Sequence, residues 1–359
     1  MKLRQHLLEG QVIPAHPLAL TAHRTLDERR QRALTRYYMD AGAGGVAVGV
    51  HTTQFAIRDF GLHRPVLELA AATAREFVPL KLELARSSDR IQPVTRPFAL
   101  IAGAIGSTRQ AVHEAGIAAD LGYHAVLLSL GGLDGLSDTR LVHHCRAVSE
   151  VLPLIGFYLQ PAVGGRQLGE TFWRRLAELP GLVAVKIAPF DRYRTMDVAR
   201  AVAGAGRDDV ALYTGNDDSI IFDLLTPFPA EADGKRIERR IVGGLLGQWA
   251  VWTQRAVEWM TELREARDSE SLSTDWLRRA AALTDANSAI FDAAHTFAGC
   301  IPGIHEILRR QGLLRGTWTL DPHERLSPGQ LAAIDRVCRR HPELSDDDFV
   351  ASHLDRWLG

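Results

Sequence analysis

The chain has 359 residues, 46% of them hydrophobic and 24% charged, with 42 basic side chains against 43 acidic ones and a formal net charge of -1. That composition permits a large buried core, and no tract of biased composition points to disorder. The even charge balance excludes an electrostatic footprint for nucleic acid or an anionic membrane, which leaves small molecules as the expected partners.

The opening stretch, MKLRQHLLEGQVIPAH, lacks the apolar core of a secretion signal, and no apolar run reaches the eighteen or so residues of a membrane span. The sequence therefore reads as cytoplasmic. Cys145, Cys300 and Cys338 are far apart and form no CxxC pair, so neither a disulfide framework nor a metal site is expected.

Taken in order, short apolar runs recur between amphipathic stretches: VIPAHPLAL from Val12, GVAVGV from Gly45, FALIAGAI from Phe98, AVLLSL from Ala125, LIGFYL from Leu154, LVAVKIA from Leu182, VALYTGN from Val210 and RIVGGLLG from Arg240. Nearly continuous hydrophobicity is the pattern of parallel strands buried on both faces. Helix starts punctuate the intervals. Thr25 with Glu28 reads as a capping box, Ser107 and Ser137 as caps of the next helices, and Gly42, Gly122 and Gly181 stand where helices should end.

Eight strands alternating with helices at a spacing of about thirty residues predict an α/β fold, a (β/α)8 TIM barrel. No GxGxxG or GxxxxGK[ST] fingerprint follows any strand. The barrel is expected over residues 1–250 and a C-terminal helical extension, packed on it, over 251–359. Two stretches break the rhythm: Arg58 to Arg96 is long for one unit, and TPFPAEADGKRIE from Thr226 is a loop of the kind that covers active sites.

Only four of the basic residues are lysines: Lys2, Lys81, Lys186 and Lys235. Lys186 stands inside LVAVKIAPF, a sixth strand buried on both faces. An ammonium there costs several kcal/mol unless it is paired or loses its proton. Burial lowers its pKa and so supplies the neutral amine that attacks carbonyls. Snorkelling outward at the strand end, or pairing with a carboxylate, is the plainer alternative. Tyr158 ends the preceding strand at the rim where barrel enzymes collect catalytic groups. Its phenol can either relay protons or simply pack in the barrel with its hydroxyl satisfied locally.

These stretches, with LVAVKIA and LYTGNDD correctly spaced after FYLQP, resemble the dihydrodipicolinate synthase and N-acetylneuraminate lyase family of Schiff-base aldolases. VIPAHPLALTAHRTLDE, GVAVGVHTTQFA, LIAGAIGSTRQAV and CIPGIHEILRRQGLL extend the similarity along the chain. The resemblance implies that Lys186 forms an imine with pyruvate or a related 2-oxo (sugar) acid and that Tyr158 relays protons. It implies no metal or organic cofactor, an aldehyde as possible second substrate, and a homo-oligomer, dimer or tetramer.

The family's carboxylate-binding GTTGE loop corresponds to GVHTTQF, in a register that places either Thr52 and Thr53 or His51 and Thr52 at the carboxylate. Gly215, Asn216 and Gly244, at the ends of the seventh and eighth strands, complete the expected substrate contacts. Asn216, Asp217 and Asp218 can equally cap the helix that follows. Gly243 and Gly247 read as further close-approach glycines, and adjacent His143, His144 and Cys145 as helix surface. Val163 replaces the family's second-substrate arginine, and Gly131-Gly132 replaces its tyrosine pair, so a true dihydrodipicolinate synthase is not expected. The expected function is a Schiff-base lyase or aldolase. A sugar-acid dehydratase of the same family and a non-catalytic oxo-acid-binding barrel are the alternatives. A metal-dependent barrel would have to draw on His16, His51 and Asp217.

Overall fold

The computed structural model describes residues 1–77, 97–232 and 234–359. Lys81 and the later part of the long stretch ending at Arg96 lie outside the described residues. All eight expected runs form parallel strands: β1 (Val12–Pro14), β2 (Gly45–Val48), β3 (Ala99–Ala104), β4 (Ala125–Leu128), β5 (Leu154–Leu159), β6 (Leu182–Ala188), β7 (Ala211–Thr214) and, after an inserted β8 (Pro227–Ala232) and β9 (Lys235–Arg240), β10 (Gly243–Leu246). They pair in the order β1-β10-β7-β6-β5-β4-β3-β2. A parallel bridge between Ala15 and Ala47, with the His16 N–H donating to the Ala47 carbonyl at 2.8 Å, joins β1 to β2 and closes the barrel.

A short α1 (Leu3–Leu8) precedes the barrel, whose strands are followed in turn by α2 (Glu28–Ala41), α3 (His63–Glu76), α4 (Thr108–Asp120), α5 (Asp138–Ser149), α6 (Glu170–Ala177), α7 (Arg192–Gly204), α8 (Ile220–Leu225) and α9 (Thr253–Arg267). Ser107 and Ser137 cap α4 and α5 by accepting from the N–H groups of Gln110 and Arg140. The N-cap of α2 is Asp27, two residues after the expected Thr25: Asp27 accepts from the Arg30 N–H while Thr25 bonds to Thr21. The eighth helix, α9, follows β10, so the repeating unit of the barrel runs past the boundary expected at residue 250.

Beyond it come α10 (Asp275–Ile290), α11 (Cys300–Arg310), α12 (Gln330–Arg340) and α13 (Asp347–Leu358). The last of these returns to α2, where Asp346 accepts from the Tyr37 hydroxyl at 2.7 Å and Asp40 from the Trp357 indole at 2.6 Å. No helix among the described residues is long and apolar enough to cross a membrane.

Alternation along each strand divides the apolar residues into two cores. One fills the barrel and includes Ile13, Ala47, Ile101, Leu127, Ile155 and Phe157. The other lies between strands and helices and includes Val46, Leu128, Tyr158, Trp173, Val185 and Ile187. In the β5–β6 ladder Phe157 is opposite Lys186 and Tyr158 opposite Ile187. Residues paired across a parallel ladder face the same way.

The insertion from Thr226 is an antiparallel hairpin of β8 and β9, not a cover. Phe228 is buried, and Arg239 donates to the Val210 carbonyl at 2.8 Å and pairs with Asp208 at 2.9 Å, just before β7 begins. Those contacts hold the hairpin against the outside of the barrel toward its N-terminal end. None of its described residues lines the cavity at the opposite end.

Candidate active site

Lys186 enters the barrel from β6, the neighbour of β5 and β7, and is only 7% exposed. Its ammonium nitrogen lies 4.3 Å from the centre of the Phe157 ring. Among the described residues no carboxylate forms an ion pair with it. Burial lowers its pKa from 10.5 to about 8, against an opposing attraction from Asp217. The snorkelling alternative is thereby set aside: the amine points into a cavity of about 60 Å³ at the C-terminal mouth of the barrel.

Space for this side chain comes from β7. Gly215 follows the strand, and a Cβ there would lie 2.7 Å from both the Lys186 Cε and the Ala188 Cβ. The next residue, Asn216, turns away from the cavity: its amide donates to Asp223 at 2.8 Å and Thr195 at 3.1 Å, and its Oδ1 accepts from the Phe190 N–H at 2.9 Å. It is not a substrate contact in this arrangement. Asn216 instead anchors Phe190, whose left-handed backbone (φ 53°) turns it into the cavity wall.

Asp217 lines the cavity beside Lys186. Its Oδ1 accepts from the Gln248 N–H at 3.1 Å, and its carbonyl accepts from the Asn287 amide at 2.6 Å. Burial raises its carboxyl to about 7, opposed by the Gln248 hydrogen bond and the Lys186 charge. The capping alternative for this trio fails, since Ser219 is the N-cap of α8 and carries no side-chain cap.

After β2 the chain makes a single turn of tight helix over His51–Thr53. His51 and Thr52 line the cavity. His51 is held neutral, its pKa lowered to about 4 by burial and then by Lys186. The N–H groups of His51 and Thr52 have no acceptor among the described residues, as first-turn donors usually do not. Thr53 is buried behind them: its hydroxyl donates to the His16 carbonyl at 2.7 Å and accepts from the Gly49 N–H at 3.0 Å. The structure thus favours the register that puts His51 and Thr52 at the site.

Two further expectations are corrected. Tyr158 faces the helices: its hydroxyl donates to the Leu168 carbonyl at 3.0 Å and accepts the Leu168 N–H at 3.2 Å, and its ring packs on Trp173 with centroids 5.1 Å apart. Strand parity places Phe157 inside the barrel instead, so the phenol cannot reach a ligand of Lys186. Gly244 also faces outward, where a Cβ would lie 2.6 Å from the Trp249 ring; Gly247, like Gly215, lines the cavity.

The sequence reading missed the rest of the wall. Phe291 and Phe297 reach in from the segment joining α10 to α11 and Cys300 from the first turn of α11, and Phe297 meets Phe190 edge to face at 5.6 Å. Among the described residues no group of three His, Cys, Asp or Glu side chains is placed to hold a metal ion. His16, a candidate ligand on the metal reading, is buried with its ring bonded to Thr35 at 2.8 Å.

Fold and cavity together define a (β/α)8 barrel with a buried lysine at its mouth. The sequence model of the dihydrodipicolinate synthetase family matches residues 94–226, the part that carries β3 to β7 with Lys186 and Asp217. No curated protein sequence matches the chain. Among solved structures, dihydrodipicolinate synthase from Acinetobacter baumannii, complexed with pyruvate, is 19% identical with a TM-score of 0.71, covering 92% of this chain and 98% of that one. YagE, a prophage protein of the dihydrodipicolinic acid synthase family from E. coli K12, also in complex with pyruvate, is 16% identical with a TM-score of 0.70 and the same coverage. CdNal from Clostridium difficile, in complex with mannosamine, is 16% identical with a TM-score of 0.67, again over 92% and 98%. At these identities the shared feature is the fold, extending over nearly the whole chain.

Proposed function

We propose that the protein is a Schiff-base lyase or aldolase in which Lys186 forms an imine with pyruvate or a related 2-oxo acid. The observation that carries this reading is the lysine itself: a single amine, buried at the barrel mouth, lowered to about 8, facing a cavity without an ion-pair partner among the described residues. Near neutral pH a usable fraction is neutral and nucleophilic. The iminium then withdraws electrons from the adjacent carbon, which allows a carbon-carbon bond to form or break through an enamine. In this scheme the imine supplies the electron sink, and the reaction draws on no metal or organic cofactor.

The N–H groups of His51 and Thr52, at the start of a helical turn on the cavity wall, are suited to the substrate carboxylate. Pyruvate complexes of the Acinetobacter enzyme and of YagE support a small oxo acid as the first substrate. The remaining wall contains Phe157, Phe190, Phe291 and Phe297 and neither arginine nor a second lysine among its described residues. A second carboxylate would find no cationic partner there. The reading therefore takes a monocarboxylic oxo acid and a second reactant with an apolar flank. Borohydride reduction with pyruvate, followed by peptide mapping, is the test: a reduced adduct on Lys186 is expected. No adduct with pyruvate or with a panel of 2-oxo acids overturns the reading.

A further inference from the structure

Forming an imine requires a group that can accept and return protons beside the amine, and the outward-facing phenol of Tyr158 cannot serve. Among the described residues the cavity offers three other titratable side chains: His51, Asp217 and Cys300. Cys300 is buried, and its thiol is pushed well above its ordinary range by that burial and by nearby acids. The His51 imidazole is held neutral, as described above. Asp217 differs in geometry. Its backbone is fixed by Asn287 and one carboxylate oxygen by Gln248, while Oδ2 has no hydrogen-bond partner among the described residues.

We propose that Asp217 is the proton-transfer group of this site, acting on the carbinolamine that Lys186 forms with an oxo acid; this rests on the imine reading above. The Lys186 nitrogen attacks the carbonyl carbon, making the C–N bond and an alkoxide. The Asp217 carboxyl gives its proton to that oxygen, and the resulting carboxylate removes one from the ammonium nitrogen, leaving a neutral carbinolamine. The recharged carboxyl then protonates the hydroxyl. The C–O bond breaks, water departs, and the nitrogen lone pair closes the C=N bond. Atoms and charge balance without an outside reagent.

Burial keeps the carboxyl protonated in part up to about pH 7, close to the value of the amine it serves. The ionisable groups around it are Lys186 from β6, His51 after β2, Cys300 on α11 and Asp218 beside it in the chain, with Arg192 acting on Asp218. A carboxylate here raises the affinity of Lys186 for its proton, so removing it should lower that affinity.

The test compares wild type, Asp217→Asn and Asp217→Glu in the full chain by the initial rate of borohydride trapping with pyruvate across pH 5.5–9.5, a range of about four units around the two groups. Each variant's thermal midpoint is recorded alongside. The Asn variant is expected to slow trapping roughly a hundredfold or more, to lose the alkaline decline and to move the acid limb to lower pH. The Glu variant, which restores a carboxyl, should recover to within about tenfold of wild type. An Asn variant that traps at the wild-type rate with an unchanged profile overturns the proposal, as does a Glu variant that folds but is as slow as Asn. If wild type forms no adduct with any oxo acid, the imine reading fails first and takes this proposal with it.

Discussion

Two side chains next to the mouth of the barrel, on neighbouring strands, have opposite surroundings. Lys186 of β6 faces the interior, where burial sets its proton affinity and a cavity lies before it. Tyr158 of β5 faces the helices, where its hydroxyl is bonded twice to Leu168 and its ring is packed against Trp173. Both are buried and both belong to reactive residue types. What separates them is a single step of alternation along a strand, which sends one into the cavity and the other into structural packing.

The sharpest way to break that contrast is Lys186→Met. It should abolish the trapped adduct, and it should also stabilise the fold at pH 7, by on the order of 2–3 kcal/mol, because a depressed lysine pKa means that folding opposes the charge. Denaturant unfolding measures the second effect, and a loss of stability would contradict it. The sign gives a companion expectation for wild type. The unfolded chain binds the proton up to about pH 10.4 while the folded chain releases it near 8. This residue's contribution to stability therefore rises between those values, and the rise should be missing in Lys186→Met.

Gly215→Ala comes next. Its added methyl would crowd the lysine stem, so adduct formation should slow roughly ten- to a hundredfold by displacing the amine. An unchanged trapping rate would mean that the stem has another place to go. The smallest effect on chemistry belongs to Tyr158→Phe. It should leave trapping unaltered while costing about 1–3 kcal/mol, since the Leu168 N–H and carbonyl lose their buried partner. A collapse of trapping in a folded Tyr158→Phe variant would restore the phenol to the mechanism.

The barrel was legible because strands buried on both faces are written as uninterrupted apolar runs, and eight of them stand out. The same property hid the parity of β5. LIGFYL is apolar at every position, so nothing in it says whether Phe157 or Tyr158 looks inward, and family spacing selected the tyrosine. Lys186 was legible because a charge inside such a run is costly whichever way it points. Asp217 was visible as one of three polar residues after a strand, a pattern shared with helix caps, and as a candidate metal ligand. Its burial depends on Gln248 and Asn287, which come later in the chain. The hairpin from Pro227 to Arg240 looked like a lid because Pro and charge mark loops. In the structure β8 alternates exposed and buried residues, with Phe228 inward, as a strand lying on the outer surface does.

Phe291, Phe297 and Cys300 close the chamber around an amine that the ribosome assembles much earlier. Without those later residues the pocket would lack a wall, water would reach the lysine, and its proton affinity would move back toward that of an exposed ammonium. On the imine reading, a chain shortened before Phe291 should therefore trap oxo acids more slowly at neutral pH than the full chain.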